Sequence, residues 1–529
     1  MKKIICLILS LLFAVTALTS LTACTEEGNE DVYTSDGELI INVRNLYFNE
    51  WNGDDVYTAR IGKKFNVKFV PSTYSWADWT QQVQQAINGG NVSDVFHFNL
   101  DNYNFARSYK FWADDGVIKP LPDDMSRWPN LKKLIENTSN VGSLRYNGKL
   151  YCIPVAKNIK SEEAPFSPFT YVYRRDWAKQ LGVYQENDVY TWEQFNALLN
   201  AFKSAYGGSE ISALADVEWG FPSVINLFKN EPHCFAVDAS GKVVASYTTE
   251  KYLEGLEYAK TLVNNGVYYD DQFSANSGDV SKRYYGGRVG VFYENLSLSN
   301  YTTLRKKMWE RSEIDTKEKL DDATAIMKVM GPDGKYALEG TDNWFSATFF
   351  AGGISDAKME KLLEVMDWLL SEEGTMMAVY GIEGYDYDKT GDEITLREEG
   401  WEKDLEGKYI EKYNGAKYLR YMCTLGYDLF PLDPLVDKDA YSILSDWSSY
   451  MTDMNSAGKL RILVEDARVK WLTTTRKAEN SGKMLDNANA TVMQYVYGKA
   501  PISTISDYKA TFETDTWKKV LEEINNALK

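Results

Sequence analysis

Cys24 is the residue of this chain whose neighbours prescribe a reaction most clearly. It follows Leu21-Thr22-Ala23, and upstream lie Lys2, Lys3 and an apolar stretch from Ile4 to Ala17 broken only by Ser10 and Thr16. A basic start, a short apolar core and small residues before the cut describe a secretory signal peptide over 1–23. A cysteine right after the cut makes it a lipoprotein signal: diacylglycerol joins Cys24 and the mature chain begins there. An uncleaved anchor would need about 20 apolar residues to cross a bilayer, and this core is shorter. The expected location is the extracellular face of a bacterial cell membrane, held by lipid on Cys24.

The other reactive side chains form no recognisable catalytic set. His97 and His233 are the only histidines and have no closely spaced partner, which argues against a zinc site or a Ser-His-Asp arrangement. Neither a Gly-x-Ser-x-Gly elbow nor a phosphate-binding glycine loop occurs, so no nucleotide hydrolysis and no cofactor is expected. Cys152, Cys234 and Cys423 are isolated and odd in number and read as buried free thiols, although one pair could bridge. The 76 acidic residues leave carboxylate pairs open, so a surface glycoside hydrolase stays an alternative. Formal net charge is −18, and loss of Lys2 and Lys3 takes it to −20. Such a surface repels phosphate backbones and anionic headgroups, which argues against nucleic acid as a partner. Aromatic residues make up 14%; flat rings in that number either fill cores or line sites for flat ligands, and most here must fill cores.

The pattern of elements is α/β. Thr25 to Asp36 is polar and acidic and reads as a tether within 24–37. Leu39–Val43, Val67–Val70 and Val92–Phe98 read as strands, and Trp76, Trp79, Val83 and Ile87 form a helical face that Gly89-Gly90 ends. Strands alternating with helices imply a parallel sheet, whose ligand crevice lies beyond the carboxyl ends of the strands. That puts Trp51 with Asn52, and Phe98 with Asp101, at a potential site, with core packing an equal reading for the rings. Thr191-x-x-Gln194 is a capping box opening a helix. Further helices are read near Lys251–Asn265, around Met359–Leu370 and at Trp517–Leu528.

From Tyr146 the chain reads Tyr-Asn-Gly-Lys-Leu-Tyr-Cys-Ile-Pro, then Thr170-Tyr-Val-Tyr-Arg-Arg-Asp-Trp177 and Leu181-Gly182. Gly287-Arg-Val-Gly-Val-Phe292, Pro332-Asp-Gly-Lys335, Asp367-Trp368, Ser371-Glu-Glu-Gly374 and Gly381-Ile-Glu-Gly384 follow in order. This ordered set behind a lipoprotein signal resembles the extracellular solute-binding proteins (family 1) that serve carbohydrate ABC transporters, of the maltose-binding-protein type. Length and the Glu-Gly pieces resemble the larger lipoprotein branch that includes alginate-oligosaccharide binders.

The resemblance implies a two-lobed, class II periplasmic-binding-protein-like fold with the ligand held between lobes joined by hinge strands. Lobe one would take 38–156 and a return over 343–400; lobe two would take 157–342 and most of 401–529. Hinge strands would run through Ile153-Pro154-Val155, Tyr171-Val172-Tyr173 and the stretch before Trp344. It also implies a monomeric binding protein, not an enzyme, that delivers an oligosaccharide to permease subunits driven by a separate ATPase. A receptor for peptides or for signalling is a further alternative. Large members often carry a calcium loop after the helix matching Thr191–Lys203. Here that place, Ser204 to Glu210, has one carboxylate, so no metal is expected there. Asp386-x-Asp388 resembles such a loop superficially and reads better as a turn between strands.

A pyranose ring offers an apolar CH face and an equator of hydroxyls. An aromatic platform that buries roughly 100 Å² at ~25 cal/mol per Å² contributes about 2.5 kcal/mol, somewhat under a hundredfold in affinity. The candidates are Tyr293 with Glu294 at a strand end, Trp219 amid acidic neighbours, and Trp344, for which hinge packing is an equal reading. Trp51, Asn52, Phe98, Asp101 and Tyr173 complete the set, Tyr173 reading first as hinge core. The net charge favours a neutral oligosaccharide.

Overall fold

In the computed structural model the described residues are 31–75, 78–99, 105–159, 168–208, 210–217, 222–230, 234–268, 277–398, 401, 414–498 and 501–529. Cys24, Trp76, Asp101, Trp219 and His233 lie outside them. Two five-stranded mixed sheets organise the chain, one in each lobe.

The first sheet is built from β1 (Leu39–Arg44), β2 (Val67–Ser72), β3 (Val95–Asn99), β4 (Cys152–Ala156) and a late strand, β10. β10 spans Trp344–Phe350, and the strand order is β2-β1-β3-β10-β4. β1 runs parallel to β2 and β3, while β10 runs antiparallel to β3 and β4. The alternation of Leu39, Ile41 and Val43 inward with Asn42 outward buries one face of β1 in a core shared with the helices Val56–Phe65 and Asp356–Leu369. The second sheet has β5 (Phe169–Tyr173), β6 (Val189–Tyr190), β7 (Ser212–Asp216), β8 (Val289–Asn295) and β9 (Ala325–Val329), ordered β6-β9-β5-β8-β7. Its strands β7 and β8 are parallel, with Tyr293 beside Asp216.

Each sheet has its own apolar core. Residues from Leu39 to Ala156, Trp344 to Ile382 and Ala416 to Cys423 share one, so the helix Gly415–Arg420 belongs to the first lobe. Residues from Tyr171 to Val329, together with the helices Lys438–Ser456, Thr475–Val496 and Asp515–Ala527, fill the cores of the second. The chain crosses between lobes after Ala156, before Trp344 and after Cys423. These three crossings are tied together. Ala156 pairs with Trp344 and bridges to Thr424, the Lys157 N–H donates to Asn343 O at 2.7 Å, and the Tyr427 N–H donates to Lys157 O at 2.8 Å. A turn of the second lobe leans on them: Trp471 stacks on Trp344 with centroids 5.7 Å apart, and Lys470 pairs with Asp342 at 2.9 Å.

The capping box is present, with Thr191 Oγ1 accepting from the Gln194 N–H and Gln194 Oε1 accepting from the Thr191 N–H. After that helix, Glu210 offers the one carboxylate of its segment and faces Arg288 at 3.9 Å. Asp386 is fully buried, accepting from the Tyr57 hydroxyl and the Ile382 N–H, and the strands Tyr387–Thr390 and Glu393–Leu396 form a hairpin after it. Cys152, Cys234 and Cys423 are free and buried. Among the described residues no helix is long and apolar enough to cross a membrane.

Candidate ligand-binding site

The carboxyl ends of β1 and β3 carry a cluster of aromatic rings on the first lobe. Asn45, the first residue past β1, caps the short turn Leu46–Phe48 by accepting from the Tyr47 N–H. The same Oδ1 lies 2.9 Å from His97 Nδ1, and the Asn45 amide donates to Tyr421 O at 3.2 Å. Since that oxygen accepts, Nδ1 of His97 carries the proton. Burial lowers the His97 pKa to about 3, so the ring is neutral at any physiological pH. Around this fixed point stand Tyr47, 5.5 Å from the His97 ring and 5.6 Å from that of Tyr421, and Trp79, edge-on to His97 at 6.4 Å. Tyr47, Trp79 and Tyr421 are half-buried. Tyr427, on the third crossing, is exposed and stacks on Phe430 at 5.1 Å. Half-buried rings of this kind are suited to an apolar sugar face.

On the second lobe a cavity of about 420 Å³ opens at the end of β8. The helices Ser277–Tyr285 and Leu298–Trp309 flank it, and its lining includes Phe169, Ser281, Tyr285, Glu294, Asn295 and Asn300. Phe169 and Tyr285 are half-buried. Glu294 accepts from the Ser281 hydroxyl at 3.1 Å and from the Asn295 N–H at 2.7 Å. Burial holds its carboxyl above the ordinary range, against the pull of those two donors. Burial, then the Glu294 charge, raises the neighbouring Tyr285 phenol. The space suits a small ligand, with polar groups to fix its orientation.

The rings singled out from sequence sit deeper than these. Trp51 is buried: its indole donates to Asp55 Oδ2 at 2.7 Å and its ring stacks on Tyr418 at 5.4 Å. Asp55 is the N-cap of the helix Val56–Phe65, so the cap holds the ring inward. Asn52 is exposed, its side chain accepting from the Asp54 N–H. Phe98 is buried between Trp79 and Trp112. Tyr173 is buried, with its hydroxyl donating to Asp188. Trp344 is buried in the hinge, with its indole donating to Ser139 O at 2.8 Å. Tyr293 is 6% exposed, accepts from the Asn226 amide at 3.1 Å and packs on Tyr171 and Phe169. Of the set, Glu294 lines the cavity. Sequence reasoning passed over Tyr47, Tyr421, Tyr427, Phe169 and Tyr285. Tyr47 had a legible signal, being three residues beyond the end of β1; the others belong to no spacing pattern.

A family model described as bacterial extracellular solute-binding protein matches residues 57–295. Over that span the chain is similar to the extracellular solute-binding proteins. Its similarity to the polygalacturonan/rhamnogalacturonan-binding protein YtcQ of Bacillus subtilis (strain 168) is 23% identity over 463 residues, 85% of this chain and 83% of that one. The fold of this chain is shared with the alginate-binding protein AlgQ2, at a TM-score of 0.62 and 13% identity, over 92% of this chain and 97% of the other. It is also shared with the substrate-binding protein FusA of S. pneumoniae, solved with kestose, at a TM-score of 0.60 and 14% identity over 92% and 98% of the two chains.

Proposed function

We propose that this protein, tethered through lipid on Cys24, captures an oligosaccharide between its lobes and delivers it uncleaved to ABC permease subunits. The observation that carries the carbohydrate reading is a set of half-buried aromatic rings in each lobe, beside Asn45 and His97 in the first and beside Glu294 and Asn295 in the second. Tyr47, Trp79 and Tyr421 beside the hinge, and Phe169 with Glu294 and Asn295 in the second lobe, are the groups we assign to contact. The ligands named for its relatives, polygalacturonan or rhamnogalacturonan and a fructo-oligosaccharide, are carbohydrates. Three adjacent crossings make a hinge about which the lobes can close.

The hydrolase alternative has one feature in its favour. Asp216 carries a pKa raised to about 7 by burial, a value useful to an acid catalyst. Yet Asp216 is wholly buried and already accepts from the Ser223 N–H, the Ser223 hydroxyl and the Tyr268 hydroxyl. That is the setting of a structural carboxyl. A melting-shift screen over plant-polysaccharide fragments, read alongside a reducing-end assay, tests the proposal. Stabilisation by an oligosaccharide without new reducing ends is expected; new reducing ends would establish the hydrolase, and stabilisation by peptides alone would establish a peptide receptor.

A further inference from the structure

Among the described residues, the lining of the second-lobe cavity carries one carboxyl side chain and no lysine or arginine. Its acid is Glu294, held by Ser281 on one helix and by its own strand end. Of the cations on the flanking helices, Lys282 pairs with Asp279 at 3.4 Å, Arg283 donates to Glu210 O at 2.7 Å, Arg305 pairs with Asp321 at 2.7 Å and Lys307 with Glu310 at 2.8 Å. The remaining polar groups, Ser281, Asn295 and Asn300, are neutral, and Phe169 and Tyr285 supply rings.

A sugar hydroxyl entering this space can donate to a carboxylate oxygen and lay its ring against an aromatic face. A uronate would lose the hydration of its own carboxylate, meet no cation and face a like charge across a few ångströms of low dielectric. We propose that this cavity receives an uncharged end of the oligosaccharide and that Glu294 is the residue rejecting rings with a C6 carboxylate. The inference rests on the oligosaccharide reading above and adds to it a specificity-determining residue. Rejection of this kind needs a repulsive group as well as attractive ones, and Glu294 is that group.

Isothermal titration with malto-, cello-, galacto- and fructo-oligosaccharides selects a neutral binder with a free C6 hydroxymethyl group. The same oligosaccharide is then oxidised at C6 to its uronate, or aminated there, and all three forms are titrated into wild type and Glu294→Gln. Wild type is expected to bind the neutral form at least about tenfold more tightly than the uronate, and Glu294→Gln to shrink that ratio at least about threefold. Equal or tighter binding of the uronate by wild type overturns the inference, as does an unchanged ratio in Glu294→Gln. The amino form needs no variant: it should bind wild type more tightly than the uronate, and the reverse order contradicts the assignment. Binding of none of the oligosaccharides by wild type overturns the carbohydrate reading itself, and this inference with it.

Discussion

At the scale of single residues, what decides a side chain's role here is where its polar atom finds a partner. Trp51 and Trp344 stand at strand ends, as their sequence positions suggest, but each indole N–H is drawn inward, to Asp55 and to Ser139 O. Composition and spacing cannot show the direction of that bond, so the sequence left core packing and ligand contact as equal readings for both rings. Phe169 has no such handle and remains half-buried at the cavity. Phe169→Ala should therefore weaken oligosaccharide binding by about 2 kcal/mol, the worth of one sugar face, in isothermal titration. Asp216 gives a second prediction. Its folded pKa, about 7, lies above the ordinary 3.8, so between these values the native state holds the proton more tightly than the unfolded one. Its contribution is complete below about pH 4 and is lost as pH rises through 7, a change of about 4 kcal/mol at most. Urea midpoints should thus fall from pH 5 to pH 8 more steeply in wild type than in Asp216→Asn; parallel profiles would contradict this.

At the scale of elements, strong periodicity was the reliable signal. The helix Trp192–Tyr206 begins where its capping box begins, and the helix Asp356–Leu369 buries Met359, Leu362, Leu363 and Met366 at the spacing that marks it in sequence. The helix Val56–Phe65 was passed over because its buried residues, Tyr57, Thr58, Ile61 and Gly62, include two small or polar ones. Those are buried by close approach, as at Gly415, where a Cβ would meet Thr58 Oγ1 at 1.9 Å. The pairing of β10 with β3 and β4 joins residues 188 to 255 positions apart, and local pattern carries no trace of it. Thr191→Ala removes one capping partner and leaves the Gln194 side chain to act alone. It should lower unfolding free energy by about 1 kcal/mol in chemical denaturation, with ligand affinity unchanged.

At the scale of the molecule, two sheets with separate cores are joined by three crossings that hydrogen-bond to one another. Rotation about such a cluster leaves each core intact, which is why lobe closure is the motion the architecture permits at least cost. Small-angle scattering should show a smaller radius of gyration with saturating oligosaccharide than without; an unchanged radius at full occupancy would contradict closure. The central claim is that the protein holds its sugar and returns it whole. Native mass spectrometry of the protein with a binding oligosaccharide measures this most directly. One intact oligosaccharide per chain, released at its original mass after prolonged incubation, is the predicted result; shortened sugar, or no complex with any oligosaccharide, would contradict it.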